Sequence, residues 1–166
     1  MSASPALLNK VITFIENMDE SSRENMVPCL EYWIVVGDIL TKDLGERFFR
    51  IFQSPHQRTL VHYYGTTEVM SEACFETFET IEDLQEKSDA HKSTVSLGTP
   101  LANSKVYIFD EDMKLAPLGN VGEICVYGAP LCLGYVTGSR ANSGAYSGNF
   151  CRNPLSKSKG KGKGKK

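Results

Sequence analysis

Apolar residues in the first third of the chain follow two different spacings. Between residues 4 and 18 they recur every three or four positions, which predicts an amphipathic helix. Ser4 suits the cap of this helix, and Pro5 suits its first position, where a backbone N–H is not needed. The run LEYWIVV at residues 30–36 is continuously apolar and rich in β-formers, which is typical of a strand covered on both faces in a parallel sheet.

The next segment repeats this order of elements. A second amphipathic helix is predicted by the apolar positions Leu40, Leu44, Phe48, Ile51 and Phe52. RTLVHYY at residues 58–64 then predicts a second strand. Strand, helix and strand across residues 30–64 form a βαβ unit, so we expect an α/β fold with part of a parallel sheet and flanking helices. Ligands of such sheets bind beyond the carboxyl ends of the strands. The Gly37–Asp38 turn and the Gly65–Glu68 segment follow two such ends.

The remainder of the chain has a different pattern. Residues 76–93 are acidic and weakly patterned, which we interpret as a surface excursion. SKVYIFD (104–110) and EICVYG (123–128) read as strands, so we expect a smaller, mostly antiparallel β region. We predict three parts: a partial α/β subdomain at 1–97, a β-rich subdomain at 98–155 and a disordered Lys/Gly tail at 156–166.

Composition narrows the class of protein. The chain is 41% hydrophobic and 23% charged, with no apolar run long enough to cross a membrane and no signal segment, so we expect a soluble, cytoplasmic protein. Five cysteines without a CxxC pair indicate reduced, packed thiols, and the three histidines lack metal spacing. Six lysines lie within the last ten residues, and the rest of the chain has 12 basic against 20 acidic residues. A nucleic-acid role is therefore disfavoured, and we interpret the lysine tail as a solvated end.

The stretch YYGTTE at residues 63–68 has the chemistry of a phosphate and metal site. Gly65 allows a sharp turn and a close approach of the backbone to a ligand. The hydroxyls of Thr66 and Thr67 can donate to phosphate oxygens, and Glu68 offers Mg²⁺ a hard oxygen ligand. Tyr64 has a flat face on which a purine could stack. The alternative is purely structural: Thr66 caps a short helix and Glu68 lies in its first turn.

Three segments in order resemble one enzyme superfamily. WIVVGDIL, YYGTTEVM and GEICVYGAPLCLGY are similar to motifs of the adenylate-forming (AMP-dependent) synthetases and ligases, and most of all to the adenylation domains of nonribosomal peptide synthetases. Asp38 stands where that superfamily usually has glutamate. The resemblance extends from about residue 5 to residue 155 and corresponds to the middle of the family's length. It is strongest to the Ebony-type branch, which joins β-alanine to biogenic amines.

The resemblance implies a role for each matching residue. Tyr64 would stack on the adenine of ATP or AMP, with the Gly37–Asp38 turn beside the same ring. Gly65 and Thr66 would complete the nucleotide-binding set. Thr67 would contact the AMP phosphate and Glu68 would hold Mg²⁺, so these two are the expected catalytic residues. Three further residues would shape the sheet beneath the site: Gly128, Gly134 and Tyr135.

The family also implies a pocket for a small carboxylic or amino acid, with β-alanine as one candidate. The matching positions are Ile34, Val36, Tyr63, Ser71 and Glu72. Glu72 would pair with a substrate amine, because a buried carboxylate needs a partner. Outside this family context, Glu72 would be interpreted as a simple exposed acid.

Other family features have no counterpart in the sequence. The lysine-bearing phosphate loop, the TGD motif and the C-terminal catalytic lysine do not match any segment. Loss of one electrostatic donor typically costs about 3 kcal/mol of barrier. We therefore expect a ligase fragment that is weak or inactive alone and whose partners are a carrier domain or the other parts of the ligase. The alternative is a non-catalytic binding protein derived from an adenylation domain.

Overall fold

A computed structural model of the chain describes residues 1–19, 21–23, 30–52, 58–70, 72–88 and 93–132. In chain order the elements are β1 (Ser2–Ala3), α1 (Pro5–Glu16), β2 (Tyr32–Val36), α2 (Lys42–Ile51), β3 (Thr59–Gly65), β4 (Glu72–Phe78), α3 (Ile81–Glu86), β5 (Thr99–Pro100), β6 (Ser104–Phe109) and β7 (Glu123–Gly128). The predicted Lys/Gly tail, Ser71, Gly134 and Tyr135 lie outside the described residues.

The larger sheet is mixed. Its strand order is β1-β2-β3-β4-β5. Neighbouring strands from β1 to β3 are parallel, which confirms the predicted βαβ unit, whereas β4 runs antiparallel to β3 and β5 antiparallel to β4. A separate antiparallel pair, β6 and β7, confirms the β-rich region that the sequence predicts after residue 97. The boundary at residue 97 itself stays a prediction.

Both long helices begin at side-chain caps. The Ser4 hydroxyl accepts a hydrogen bond from the backbone N–H of Leu7 at 3.3 Å, and Pro5 occupies the first turn of α1 as predicted. The Thr41 hydroxyl caps α2 in the same way through Leu44 N–H, also at 3.3 Å. These caps fix where each helix starts relative to the strand before it.

One face of the sheet carries the main hydrophobic core. Trp33 of β2 packs at a ring-centroid distance of 5.5 Å from Phe48 of α2 and 5.1 Å from Phe52. Helices α1, α2 and α3 contribute to this core, and its members are Leu8, Ile12, Ile15, Trp33, Val35, Leu40, Leu44, Phe48, Phe49, Phe52, Leu60, Phe78, Leu84 and Val95. Because these side chains alternate along the strands, the helices α1 to α3 lie against the same face.

The opposite face of β2 corrects one prediction. Within the described residues, Ile34 and Val36 are half-buried on this face, and Tyr32 is 59% exposed. The apolar run predicted burial on both faces, but it cannot say on which side the packing elements lie. Here the described helices all pack on the side of Trp33 and Val35.

The acidic segment 76–93 is not the surface excursion that its composition suggests. Its described part begins with the end of β4 and contains all of α3, and the Thr80 hydroxyl caps α3 through Asp83 N–H at 3.1 Å. Phe78 and Leu84 are fully buried in the main core. The prediction fails because a few apolar residues, Phe78 of β4 and Ile81 and Leu84 of α3, are enough to anchor a segment that is otherwise mostly polar or acidic.

Candidate functional site

The carboxyl ends of β2 and β3 meet at one edge of the sheet. Val36 and Tyr63 are partners in the parallel register, so the two segments that follow them leave the sheet side by side. A cavity of about 370 Å³ lies there. The residues lining it are Gly37, Asp38, Ile39, Leu40, His62, Tyr63, Tyr64, Gly65, Thr94, Val95 and Leu97. The structure thus places the Gly37–Asp38 turn and the Tyr64–Gly65 segment around a common space.

Gly37 shapes the first wall of this cavity through its backbone conformation. Its φ is +91°, a value that L side chains rarely adopt, and a Cβ built there would meet no atom within 4 Å. The constraint is therefore conformational and not steric. Asp38 follows with an exposed side chain whose Oδ1 accepts from Ile39 N–H at 2.7 Å. Both residues of this turn line the cavity.

A third wall comes from a segment that sequence reasoning did not single out. Two backbone hydrogen bonds join residues 93–95 to the start of α2 and the residues before it: Lys42 N–H donates to Ser93 O at 2.8 Å, and Val95 N–H donates to Leu40 O at 3.1 Å. Val95 is buried in the main core. The small residues of the SLGTP stretch indicate a turn just before β5. Their spacing, however, does not predict that this segment packs beside β3.

His62 forms part of the cavity floor and was also not predicted. Its side chain is 2% exposed, and its Nδ1 lies 3.5 Å from the carbonyl oxygen of Ser96. Burial lowers the pKa of the imidazole below its usual 6.5, and the backbone groups of Ser96 and Asp38 partly offset this effect. A neutral ring is therefore favoured at the base of the cavity, in contact with both of its loop walls.

Tyr64 connects the cavity to a second, smaller apolar cluster. It is half-buried and packs against the buried residues Val69, Ala73 and Cys74. Burial raises the pKa of its phenol, and the nearby Cys74 and Glu68 raise it further. The ring therefore stays protonated and neutral at ordinary pH. It is held on one side by packing while it lines the cavity on the other.

The predicted phosphate and metal residues form a turn directly after Gly65. Thr66 and Thr67 are exposed and Glu68 is half-buried. Val69 N–H donates to Thr66 O at 3.0 Å, which closes the turn. These three residues do not line the cavity; they follow its Gly65 edge. The helix that the structural alternative required, with Thr66 as its cap, is not formed, because residues 67 and 68 make only a turn.

The predicted acyl-pocket residues fall into two groups. Tyr63 lines the cavity and stacks on Phe75 at a centroid distance of 6.0 Å, whereas Ile34 and Val36 lie on the half-exposed sheet face outside the cavity lining. Glu72 pairs with Gly65 at an irregularity in the β3–β4 register and is half-buried, and its role toward a substrate amine stays a prediction. Ser71 lies outside the described residues.

The side chains at and beside Glu68 can be compared with the ligands that magnesium usually has in proteins. Within the described residues, no group of three or more His, Cys, Asp or Glu side chains could hold a metal ion alone. Magnesium, however, is usually bound by one or two carboxylates together with the phosphates of a nucleotide. One half-buried carboxylate beside two exposed hydroxyls fits that mode and does not fit a cage built from protein ligands alone.

Comparison with known proteins identifies the class. The chain matches the family of AMP-binding enzymes over residues 1–136, which is most of its length, and it belongs to that family. It is 28% identical over 151 residues to the β-alanyl-bioamine nonribosomal peptide synthetase ebony of Drosophila melanogaster. That alignment covers 91% of this chain and 16% of the Drosophila protein. The sequence-based assignment to this superfamily is confirmed.

Solved structures support the same conclusion. The AMPPNP-bound form of the nonribosomal peptide synthetase FmoA3 superposes with a TM-score of 0.65 at 27% identity, covering 82% of this chain and 13% of that one. The N-terminal subdomain of Klebsiella oxytoca NpsA, in complex with 3-hydroxybenzoyl-AMSN, has a TM-score of 0.59 at 22% identity and covers 81% of this chain and 30% of that one. The second likeness shows the fold alone. The α/β fold of an adenylation domain is confirmed, and the chain spans a minor part of each relative.

Among the helices of the described residues, none combines the length and apolar character that crossing a membrane requires.

Proposed function

We propose that the cavity between the Gly37–Asp38 turn and Tyr64 binds the adenosine part of ATP or AMP. The observation that carries this proposal is the convergence of these two segments on a single 370 Å³ space at the carboxyl ends of parallel strands. The similarity to FmoA3, whose structure was solved in an AMPPNP-bound form, supports it. The chain would then contribute to an ATP-dependent ligase that activates a carboxylic or amino acid as its acyl-adenylate.

Each residue has a role in this proposal. Tyr64 stacks on adenine, and its packing against Val69 and Cys74 fixes the plane of the ring before the base arrives. The Gly37–Asp38 backbone lies beside the same base. Thr66 and Thr67 donate hydrogen bonds to phosphate oxygens from their exposed positions. Glu68 supplies a carboxylate oxygen to Mg²⁺, which when bound neutralises phosphate charge.

The acyl side of the proposal rests on the sheet face next to the cavity. Tyr63 is the link, because it lines the cavity and belongs to the same face as Ile34 and Val36. We place a small carboxylic or amino acid there, with Glu72 available to a substrate amine and Ser71 as a further contact. β-Alanine is a candidate substrate because of the Drosophila relative, and a carrier domain is a candidate partner, as are further parts of the ligase.

The charges of the cavity lead us to propose that the chain binds a nucleotide but catalyses adenylate formation only weakly. Among the described residues that line it, none is a lysine or an arginine. Attack on an α-phosphate depends on cationic groups that stabilise the developing charge. In this proposal the described residues supply contacts to the base and one metal ligand but no cation in the cavity, and adenylate formation by this chain alone is expected to be weak.

Calorimetric titration of the full chain with AMP, and with ATP in the presence of Mg²⁺, tests the proposal. We expect saturable binding of both nucleotides. Glu68→Ala should weaken binding of ATP with Mg²⁺ by about tenfold or more and leave AMP binding unchanged. Glu82→Ala is the matched control, since Glu82 is an exposed acid in the first turn of α3. Absence of saturable binding of either nucleotide would reject the site.

ATP–pyrophosphate exchange with a panel of carboxylic and amino acids, β-alanine included, tests the chemistry separately. We expect exchange close to background. Robust exchange with one acid, abolished by Glu68→Ala, would contradict the expected weak activity while supporting the assignment of the site. It would also identify the substrate.

A further inference from the structure

The turn that carries the proposed phosphate and metal ligands is paired with a distant segment. Cys132 N–H donates to the carbonyl oxygen of Glu68 at 2.9 Å, and Met70 N–H donates to the carbonyl oxygen of Pro130 at 2.8 Å. Between these bonds, Val69 and Leu131 form an antiparallel bridge. Residues 68–70 are thus paired with residues 130–132, which follow β7.

The segment at 130–132 is itself fixed to the β6–β7 hairpin. Ala129 N–H donates to Asn103 O at 3.1 Å. Gly128 has a φ of +139°, and a Cβ at this position would collide with the Asn103 carbonyl, so a side chain would push the two strands' ends apart. The segment therefore enters its pairing with the turn from a defined direction.

Side chains reinforce the backbone pairing. Val69 is 4% exposed and lies in the small cluster together with Ala73 and Cys74. Leu131 packs against this cluster, as do Val106 and Val126 from the hairpin. The cluster also contacts Tyr64, so the hairpin, the stacking residue and the turn share one packed unit.

We infer that residues 130–132 form a positioning segment that holds the Glu68 backbone where its carboxylate can meet a nucleotide-bound metal ion. The inference rests on the proposed function. The segment acts through Glu68 and does not line the cavity. β3 and β4 hold only the two ends of the turn, and the bond from Cys132 is made to the metal-ligand residue itself. Loss of that bond should affect the metal side of the site and spare the base side.

Substitution of one N–H donor isolates this effect. Cys132→Pro removes the donor to Glu68 O, while Cys132→Ala removes the thiol and keeps the donor. An extended conformation is what a residue before proline prefers, so Leu131 in its bridge is compatible with the change. Leu131→Ala is a packing control that reduces the small cluster but keeps both backbone bonds.

The measured quantity is the ratio of ATP affinity with Mg²⁺ to ATP affinity with EDTA, obtained by calorimetry on the full chain. In Cys132→Pro we expect this ratio to fall by about tenfold or more, as for other groups that orient a metal ligand. AMP affinity should stay within about twofold. Cys132→Ala should retain the ratio, and Leu131→Ala, which weakens only the reinforcing side-chain packing, should lower it less than Cys132→Pro does. An unchanged ratio in Cys132→Pro would overturn the inference.

Hydrogen exchange on the unsubstituted chain tests the same inference without a risk of misfolding. If the segment holds Glu68, metal binding and the Cys132 bond must stabilise each other by the same factor. The amide of Cys132 should therefore exchange more slowly with ATP and Mg²⁺ than with ATP and EDTA. Equal exchange in the two nucleotide-bound states would reject the inference. A chain that binds ATP without any gain from Mg²⁺ would instead reject the proposed role of Glu68, and the inference with it.

Discussion

Val36 and Tyr63 lie opposite each other in the parallel register of β2 and β3. This pairing brings the Gly37–Asp38 turn next to Tyr64 and Gly65. A slip of one residue would move Tyr64 to the position of Tyr63 and turn its ring to the opposite face of the sheet. The geometry of the candidate site is therefore a consequence of strand register. The buried pair Trp33 and Leu60, three positions earlier in the same register, stabilises it on the core side.

The ring of Tyr64, and not its hydroxyl, should determine nucleotide affinity. Tyr64→Leu keeps apolar packing against Val69 and Cys74 but removes the flat face, whereas Tyr64→Phe keeps both. Loss of base stacking costs about 1–3 kcal/mol. We expect Tyr64→Leu to weaken AMP binding by roughly 5- to 160-fold and Tyr64→Phe to bind within a few-fold of the unsubstituted chain, as measured by calorimetry. Equal affinities in the two variants would show that adenine does not stack there.

Two glycines with positive φ should respond differently to alanine. At Gly37 an added Cβ meets no atom, so Gly37→Ala should cost only conformational strain, about 1–2 kcal/mol of unfolding free energy. At Gly98 the Cβ would also collide with the Phe75 carbonyl and the Glu76 side chain. Gly98→Ala should therefore cost about 2–5 kcal/mol. Urea denaturation of both variants checks the order, and a smaller loss at Gly98 would contradict the packing of β4 against residues 96–98.

The parts of the fold that the sequence predicts well are those with strong local signals. Ser4 and Pro5 mark the start of α1, and WIVV marks β2, because caps and continuous β-branched runs need little context. The antiparallel strand β4 was missed because EACFETF places glutamates among its apolar residues. One of these glutamates has a charged partner, since Glu76 lies 3.7 Å from the Lys87 ammonium group.

The candidate site was predictable only where a motif carried it. Tyr64, Gly65 and the Gly37–Asp38 turn follow from the family motifs, and the structure places them around the cavity. His62, Thr94 and Leu97 could not be found this way, since their place in the cavity depends on how residues 93–97 dock beside β3. Nor does any spacing reveal that Cys132 binds the Glu68 backbone, because that contact joins segments far apart in the chain.

Arg47 should be less replaceable than Arg50, although both make ion pairs. The Arg47 guanidinium contacts both carboxylate oxygens of Glu16, at 3.0 and 2.7 Å, and also Asn9 and Thr13 of α1. A lysine cannot reproduce this planar set of contacts. Because the side chains are partly exposed, we expect Arg47→Lys to lose only about 0.5–1 kcal/mol of unfolding free energy.

Arg50→Lys is the matched control for this prediction. Arg50 is 58% exposed and pairs with Glu46 one turn away on the same helix. We expect a change close to zero in its unfolding free energy, measured by urea denaturation. The difference between the two variants should shrink at about 0.5 M NaCl, where exposed charges are screened. Equal losses in the two variants would show that Arg47 does not hold α1 against α2.

Stability should depend on pH through His62. Its pKa in the folded chain is below 6.5, mainly because of burial, so the unfolded chain binds the proton more readily than the folded chain does. The contribution of His62 to stability is therefore complete above pH 6.5 and is lost as the pH falls from 6.5 through the folded-state pKa.

His62→Gln stays neutral in this range and retains an amide that can donate to Ser96 O. We compare the unfolding free energies of the two proteins at about pH 7.5 and at about pH 5.5. The unsubstituted chain should lose more stability across this interval than His62→Gln, and a parallel loss would mean that the imidazole is protonated in the folded cavity as readily as in water.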